Sequence, residues 1–277
     1  MSLVFPIPMK PWLRRVLTVM FLAPWVLGVS ECNTFSGSSN KTTDAALMFQ
    51  AQQDINKQDY SDALTTLASL SSTAQTSHDG LILIASAHAG VCGLNLVNLA
   101  EDVANLISSK TIMEILLADL KGATSNADCS AAETALLSIP AASMTSDDYI
   151  FLAFLEFAKI GADLEISADG GLHTGTAPVS FTSCPTTPLT DALARDVGIS
   201  LNIALSAINS SGISVASALT STMQPLCASP VNFPCSTTDP TVFSALQVKI
   251  IRTLIQASEV GLNTCGGAST SLGCICP

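Results

Sequence analysis

DAALMFQAQQDINKQDYSDALTTLASL, residues 44–70, is the stretch that decides the fold class. Its first half places Leu47, Met48, Ala51 and Ile55 at the three- and four-residue steps of one helical face. A polar break, Asp59-Tyr60-Ser61-Asp62, follows and supplies a helix start. Ala63, Leu64, Leu67 and Leu70 then line one face of a second helix. Two short amphipathic helices joined by so few residues can bury their stripes only by folding back as an antiparallel hairpin.

Working outward, residues 81–107, LILIASAHAGVCGLNLVNLAEDVANLI, repeat the arrangement. Leu47 aligns with Leu81, Ala51 with Ala85 and Ala63 with Val97, each 34 positions later, which is the tetratricopeptide period. Here the chain resembles the tetratricopeptide-repeat family, in particular the repeat-containing periplasmic lipoproteins of Gram-negative bacteria. Ala51 and Ala63 match the small residues of close helix contact, Tyr60 the aromatic before the second helix and Leu67 the large apolar position. In the second copy Val97 and Glu101 depart from the pattern. Beyond it, helices are expected over 112–121, 130–137, 146–165, 189–210, 214–223 and 241–263, with Asp147 and Asp239 as start signals. The expected class is all-α: a helix-hairpin array over 44–109, then further packed helices and disulfide-bridged loops over 110–277.

The residues before this domain read as an export signal. Lys10, Arg14 and Arg15 precede VLTVMFLAPWVLGV, residues 16–29, which has no charged side chain. As a helix this run would cover roughly 21 Å, short of the roughly 30 Å of a bilayer core. Residues 1–31 are therefore expected to be a signal peptide. Gly28 and Ser30 fit ordinary cleavage before Glu31, whereas Cys32 resembles the lipid-modified cysteine of bacterial lipoproteins, with residues 32–43 as a flexible tether. Glu31 departs from the small residue that the lipoprotein motif places before its cysteine. The resemblance implies a periplasmic protein anchored by lipid to the outer membrane; a soluble periplasmic or secreted protein is the alternative.

Of nine cysteines, setting Cys32 aside leaves an even set for pairing: Cys92, Cys129, Cys184, Cys227, Cys235, Cys265, Cys274 and Cys276. Disulfides persist outside the reducing cytoplasm, so the count agrees with export. Cys227 to Cys235 is a plausible short closure, as is Cys265 to Cys274 or Cys276. Without CxxC pairs or a neighbouring histidine no metal site is expected.

A net charge of −11, with only 12% charged residues, excludes the basic footprint of a nucleic-acid binder. Asp163, Glu165, Ser167 and Asp169 alternate like a calcium loop, but Ala168 stands where Gly is required and Thr174 where a bidentate Glu is required; they read instead as a solvated helix end. His78, His88 and His173 have no motif partners, and the recognisable catalytic signatures are missing. No enzyme activity and no cofactor are expected. The nearly all-apolar runs FLAFLEFAKIGADL and LILIASAHAGVCGL are either buried or line an apolar groove, for which Leu81, Ile84, His88, Phe151, Phe154 and Phe157 are the candidates. The functional expectation is a binding or scaffold module for an envelope protein partner. A carrier of apolar small molecules and a secreted enzyme of unrecognised chemistry are the alternatives.

Overall fold

The computed structural model describes residues 42–95, 99, 111–120, 122, 126–170, 172–178, 180–184, 189–212, 227, 235–237, 239–257, 261–262 and 264. They belong to one compact unit that begins at Thr42. The architecture is all-helical, and no strand occurs among the described residues. The elements are α1 (Asp44–Asn56), α2 (Tyr60–Leu67), α3 (Ser72–Gln75), α4 (His78–Cys92), α5 (Ile112–Asp119), α6 (Ala127–Leu137), α7 (Ser146–Ser167), α8 (Asp191–Ser211) and α9 (Ala245–Gln256). Short 3-10 turns occur at Ala141–Ser143 and Pro240–Val242.

The helix starts are written in hydroxyl caps. Thr43, Ser71, Ser77, Thr111, Thr145, Thr190 and Ser244 each turn a side-chain oxygen onto an amide of the first turn that has no intrahelical acceptor. At Thr111, Thr145 and Ser244 the box is completed by Glu114, Asp148 and Gln247, whose side chains accept from the cap's own amide. α4 and α8 end on Gly93 and Gly212 in the left-handed conformation that side chains with a Cβ avoid.

Two cores result. The smaller joins Ala51 of α1, Ala63 and Leu67 of α2, Leu70, and Leu83 and Ala87 of α4. The larger gathers α5, α6, α7, α8 and α9 with the other side of α4, through Ala85, Ala89 and Cys92. Gly90 is where α2 meets α4: a Cβ there would lie 2.2 Å from the Tyr60 ring, so only glycine admits the aromatic. Gly161 does the same between α7 and α5, since its Cβ would stand 2.7 Å from the Leu116 carbonyl oxygen.

α6, α7 and α8 match the expected helices to within a few residues. The expected helix over 241–263 does not hold at its ends. Asp239 caps the 3-10 turn at Thr241, Phe243 and Ser244 are extended, and α9 starts afresh at Ala245 and stops at Gln256 with Ala257 extended. Pro240 explains the false start, because it fits the first position of a turn while its cap is satisfied too locally to nucleate the longer helix. Residues 1–31, most of the tether, the expected helix over 214–223 and most of the second helix of the second hairpin lie outside the described residues.

Cys92 at the end of α4 is bonded to Cys129 in α6, with 5.2 Å between their Cα atoms, and Cys227 is bonded to Cys235. Cys184 is disulfide-bonded as well. Bonds of this kind point to an oxidising, non-cytoplasmic compartment. No described helix is long and apolar enough to cross a membrane.

Candidate functional site

α7 is apolar for most of its 22 residues, so its charged side chains must be accommodated inside the protein. Glu156, Lys159 and Asp163 are spaced three and four apart and therefore share one face. That face meets Asp196 and Ser200 of α8, Glu133 of α6 and Asn126 just before α6. The Lys159 ammonium is 6% exposed and lies 2.9 Å from Glu133 Oε2 and 2.8 Å from Asp196 Oδ1. One turn further on, Asn126 Nδ2 donates to Asp163 Oδ1 at 2.6 Å and is 3.4 Å from Asp196 Oδ2. One turn in the other direction sits Glu156, fully buried, with neither carboxylate oxygen hydrogen-bonded among the described residues. The fully buried Ser200, whose hydroxyl faces Glu156, also lacks a partner in good geometry.

The site is a ladder of four carboxyl groups around one ammonium. Burial pushes the Glu156 carboxyl up to about 8, helped by the charges of Glu133 and Asp196 and opposed by Lys159 and the facing Ser200 hydroxyl. Burial likewise pushes Asp163 up to about 8, with Asp196 adding to it and the Asn126 hydrogen bond opposing it. For Lys159 burial alone would lower the pKa. The hydrogen bond to Asp196 and the surrounding carboxylates outweigh it and hold the ammonium well above the usual lysine range. Lys159 is thus a fixed cation, and the ladder's variable charge sits on the acids.

A second buried polar group ends α7. Glu165 Oε1 accepts from the His173 amide at 3.0 Å and lies 2.8 Å from His173 Nδ1. The Asp169 carboxylate accepts from the Thr174 amide and hydroxyl, both at 2.6 Å, and from the Gly175 amide at 3.1 Å. This corrects the solvated helix end expected from the sequence: Asp163, Glu165, Ser167 and Asp169 are all at most 3% exposed. The loop 172–175 folds back over the end of the helix, and its amides donate to Glu165 Oε1 and to the Asp169 carboxylate, groups that alternation along the sequence had suggested were facing water. No group of His, Cys, Asp and Glu side chains suited to a metal ion occurs among the described residues.

The other anticipated residues are distributed as follows. Phe157 is buried in the larger core, while Leu81, Ile84, Phe151 and Phe154 are half-buried and packed against it. His88 is half-buried with Nδ1 2.8 Å from Asp128 Oδ1 at the start of α6. His78 Nε2 lies 2.9 Å from Asp148 Oδ2, the same carboxylate that caps α7. That bond raises the His78 pKa; at Asp148 burial is outweighed by the Thr145 amide and His78, and its pKa is lowered. Cys32, Cys265, Cys274 and Cys276 lie outside the described residues. A shallow surface depression of about 350 Å³ beside Tyr60 is lined by Gln58, Asp59, Ser61, Asp62 and Val91.

The ladder itself was missed from sequence, although its signal was present. Three charged residues on one face of FLAFLEFAKIGADL have no solvated face to occupy, so each implied a buried partner. The structure supplies the partners from Asp196 and Ser200, four apart on one face of α8. No protein-family model, no curated protein and no solved structure matches the chain.

Proposed function

We propose that the chain is an exported, non-catalytic helical module that holds a protein partner at an envelope membrane, with Cys32 as its lipid-bearing tether. One observation carries the reading: α4 closes the α1–α2 hairpin with one side and joins the next helices with the other. Successive helical hairpins that share a helix in this way build the extended surfaces on which repeat proteins bind partners. Equivalent positions 34 residues apart are also used alike, since Ala51 and Ala85 are both fully buried and Leu47 and Leu81 both half-buried. The free side of α1 presents Phe49, 66% exposed, and the Tyr60 depression lies at the start of α2.

The test is site-specific photo-crosslinking in intact cells, with a photoreactive phenylalanine at Phe49 and, separately, at Val91. The expected result is one defined polypeptide captured from at least one position and lost when purified domain is added as competitor. Folded, exported protein that captures nothing from either position would refute the reading. Intact mass of the mature chain checks the tether, because an N-terminus at Glu31 without added lipid removes the anchor.

A further inference from the structure

We propose that the interface of α7 with α6 and α8 is a two-proton binding site, in which Glu156 and Asp163 are seated as neutral carboxylic acids and helix docking takes up two protons from solvent. The inference is independent of the partner-binding reading.

It stands first on the geometry. Four carboxyl groups surround one ammonium, and the two that hold Lys159, Glu133 and Asp196, are the two with residual access to water, 14% and 29% exposed as side chains. Glu156 and Asp163 are 0% exposed. A bare carboxylate in that position needs several hydrogen-bond donors, or a cation of its own. Among the described residues Glu156 has only the facing Ser200 hydroxyl, outside hydrogen-bond geometry, and Asp163 has the single Asn126 amide, its Oδ2 being without a partner. A proton on each acid removes the charge. At Glu156 it also supplies an O–H donor opposite the Ser200 hydroxyl, which has no hydrogen-bond partner among the described residues.

Among the described residues, three charged groups act on them. On α7 the neighbour is Lys159, on α6 Glu133, on α8 Asp196. Of the other basic groups on α4, α8 and α9, His78 and His88 are bonded to Asp148 and Asp128, Arg195 to the Phe243 carbonyl and Arg252 to Asp191, and Lys249 is exposed; Glu114 and Asp119 of α5 are themselves acids.

The sign follows from linkage. Both carboxyls have folded pKa values of about 8, against ordinary values of 4.5 for Glu156 and 3.8 for Asp163. A raised acid binds its proton in the folded state and releases it in the unfolded state across that interval. Stability from these groups is therefore complete below about pH 4, declines as pH rises, and levels off above about pH 8. Each proton changes the folding constant about tenfold per pH unit inside the window, so the pair changes it about a hundredfold. The joint is tight in acid and loosens toward alkaline pH.

The experiment measures the folding constant of the full chain by urea denaturation between about pH 5.2 and 6.2, inside the window in which both acids are protonated when folded and ionised when unfolded. It compares the wild type with Glu156→Gln, Asp163→Asn and the double variant. The wild-type constant should fall about a hundredfold more steeply per pH unit than that of the double variant, with each single variant midway. Glu165, also raised by burial, is unchanged in all four proteins and cancels from the comparison. Parallel lines for wild type and double variant would overturn the proposal. A measurement on the wild type alone covers the case in which a variant does not fold: infrared difference spectra at about pH 6 should show the carbonyl band of two protonated carboxyls in the native protein that disappears on unfolding. A native spectrum without that band would equally overturn it.

Discussion

Replacing Lys159 by Met removes the only ammonium from the ladder while leaving its apolar stem in place. Lys159 makes two contacts, 2.9 Å to Glu133 and 2.8 Å to Asp196, from a side chain that is 6% exposed. Breaking a buried ion pair from one side costs about 3–5 kcal/mol, because the surviving charge stays buried without compensation. Here the orphaned carboxylates retain some water, so the expected loss is at the lower end, about 3 kcal/mol near pH 7. The triple variant Glu133→Gln, Lys159→Met, Asp196→Asn removes the charges together and should lie within about 1 kcal/mol of wild type near pH 7. Urea denaturation followed by circular dichroism, with an unchanged denaturant slope, is the assay. A single variant as stable as wild type near pH 7, or a triple variant worse than the single one, would refute the reasoning.

The disulfides should rank by the chain they close. With separations of 37 and 8 residues, Cys92→Ala with Cys129→Ala should cost about 4 kcal/mol and Cys227→Ala with Cys235→Ala about 2.5 kcal/mol in denaturant titrations, and a reversed order would count against the entropic account. Gly90→Ala drives a methyl into the Tyr60 ring and should cost about 1–3 kcal/mol; Tyr60→Ala should relieve most of that added cost, and strict additivity in the double-mutant cycle would place the clash elsewhere. His78 has a raised pKa, so its contribution through Asp148 is full below about pH 6.5 and is lost as pH rises through the folded value. The stability gap between wild type and His78→Gln should therefore close between about pH 6 and pH 8, and a constant gap would mean that the hydrogen bond survives without the charge.

The hairpin at 44–70 was legible because its signals are local: Leu47, Ala51 and Ile55 share one face, Asp59 to Asp62 break the pattern, and Ala51 and Ala63 are small where helices touch. The same agreement located α6, α7 and α8. What escaped was set by distant chain. Glu165 and Asp169 looked solvated because their burial depends on a loop folding back at His173 and Thr174, which no periodicity encodes. The ladder depended on pairing α7 with α6 and α8, and the sequence offers no register between helices that far apart. The charged residues were visible as exceptions in an apolar run, but their partners were not. Asp239 misled for the opposite reason, since a strong local cap served a three-residue turn rather than the helix beyond it.

α4 is shared between the two cores. Ala85, Ala89 and Cys92 belong to one core, Leu83 and Ala87 to the other, and Ile84 leans on both. The hairpin α1–α2 therefore cannot detach as a self-contained lobe, since leaving would uncover Leu83, Ala87 and part of Ile84 on a helix that Cys92 still ties to α6. Movement imposed on α1 or α2 is delivered to α4 and from there to the main helical core. The amides of Leu83 to Ala89 should be among the slowest to exchange in the domain, because no partial opening frees them.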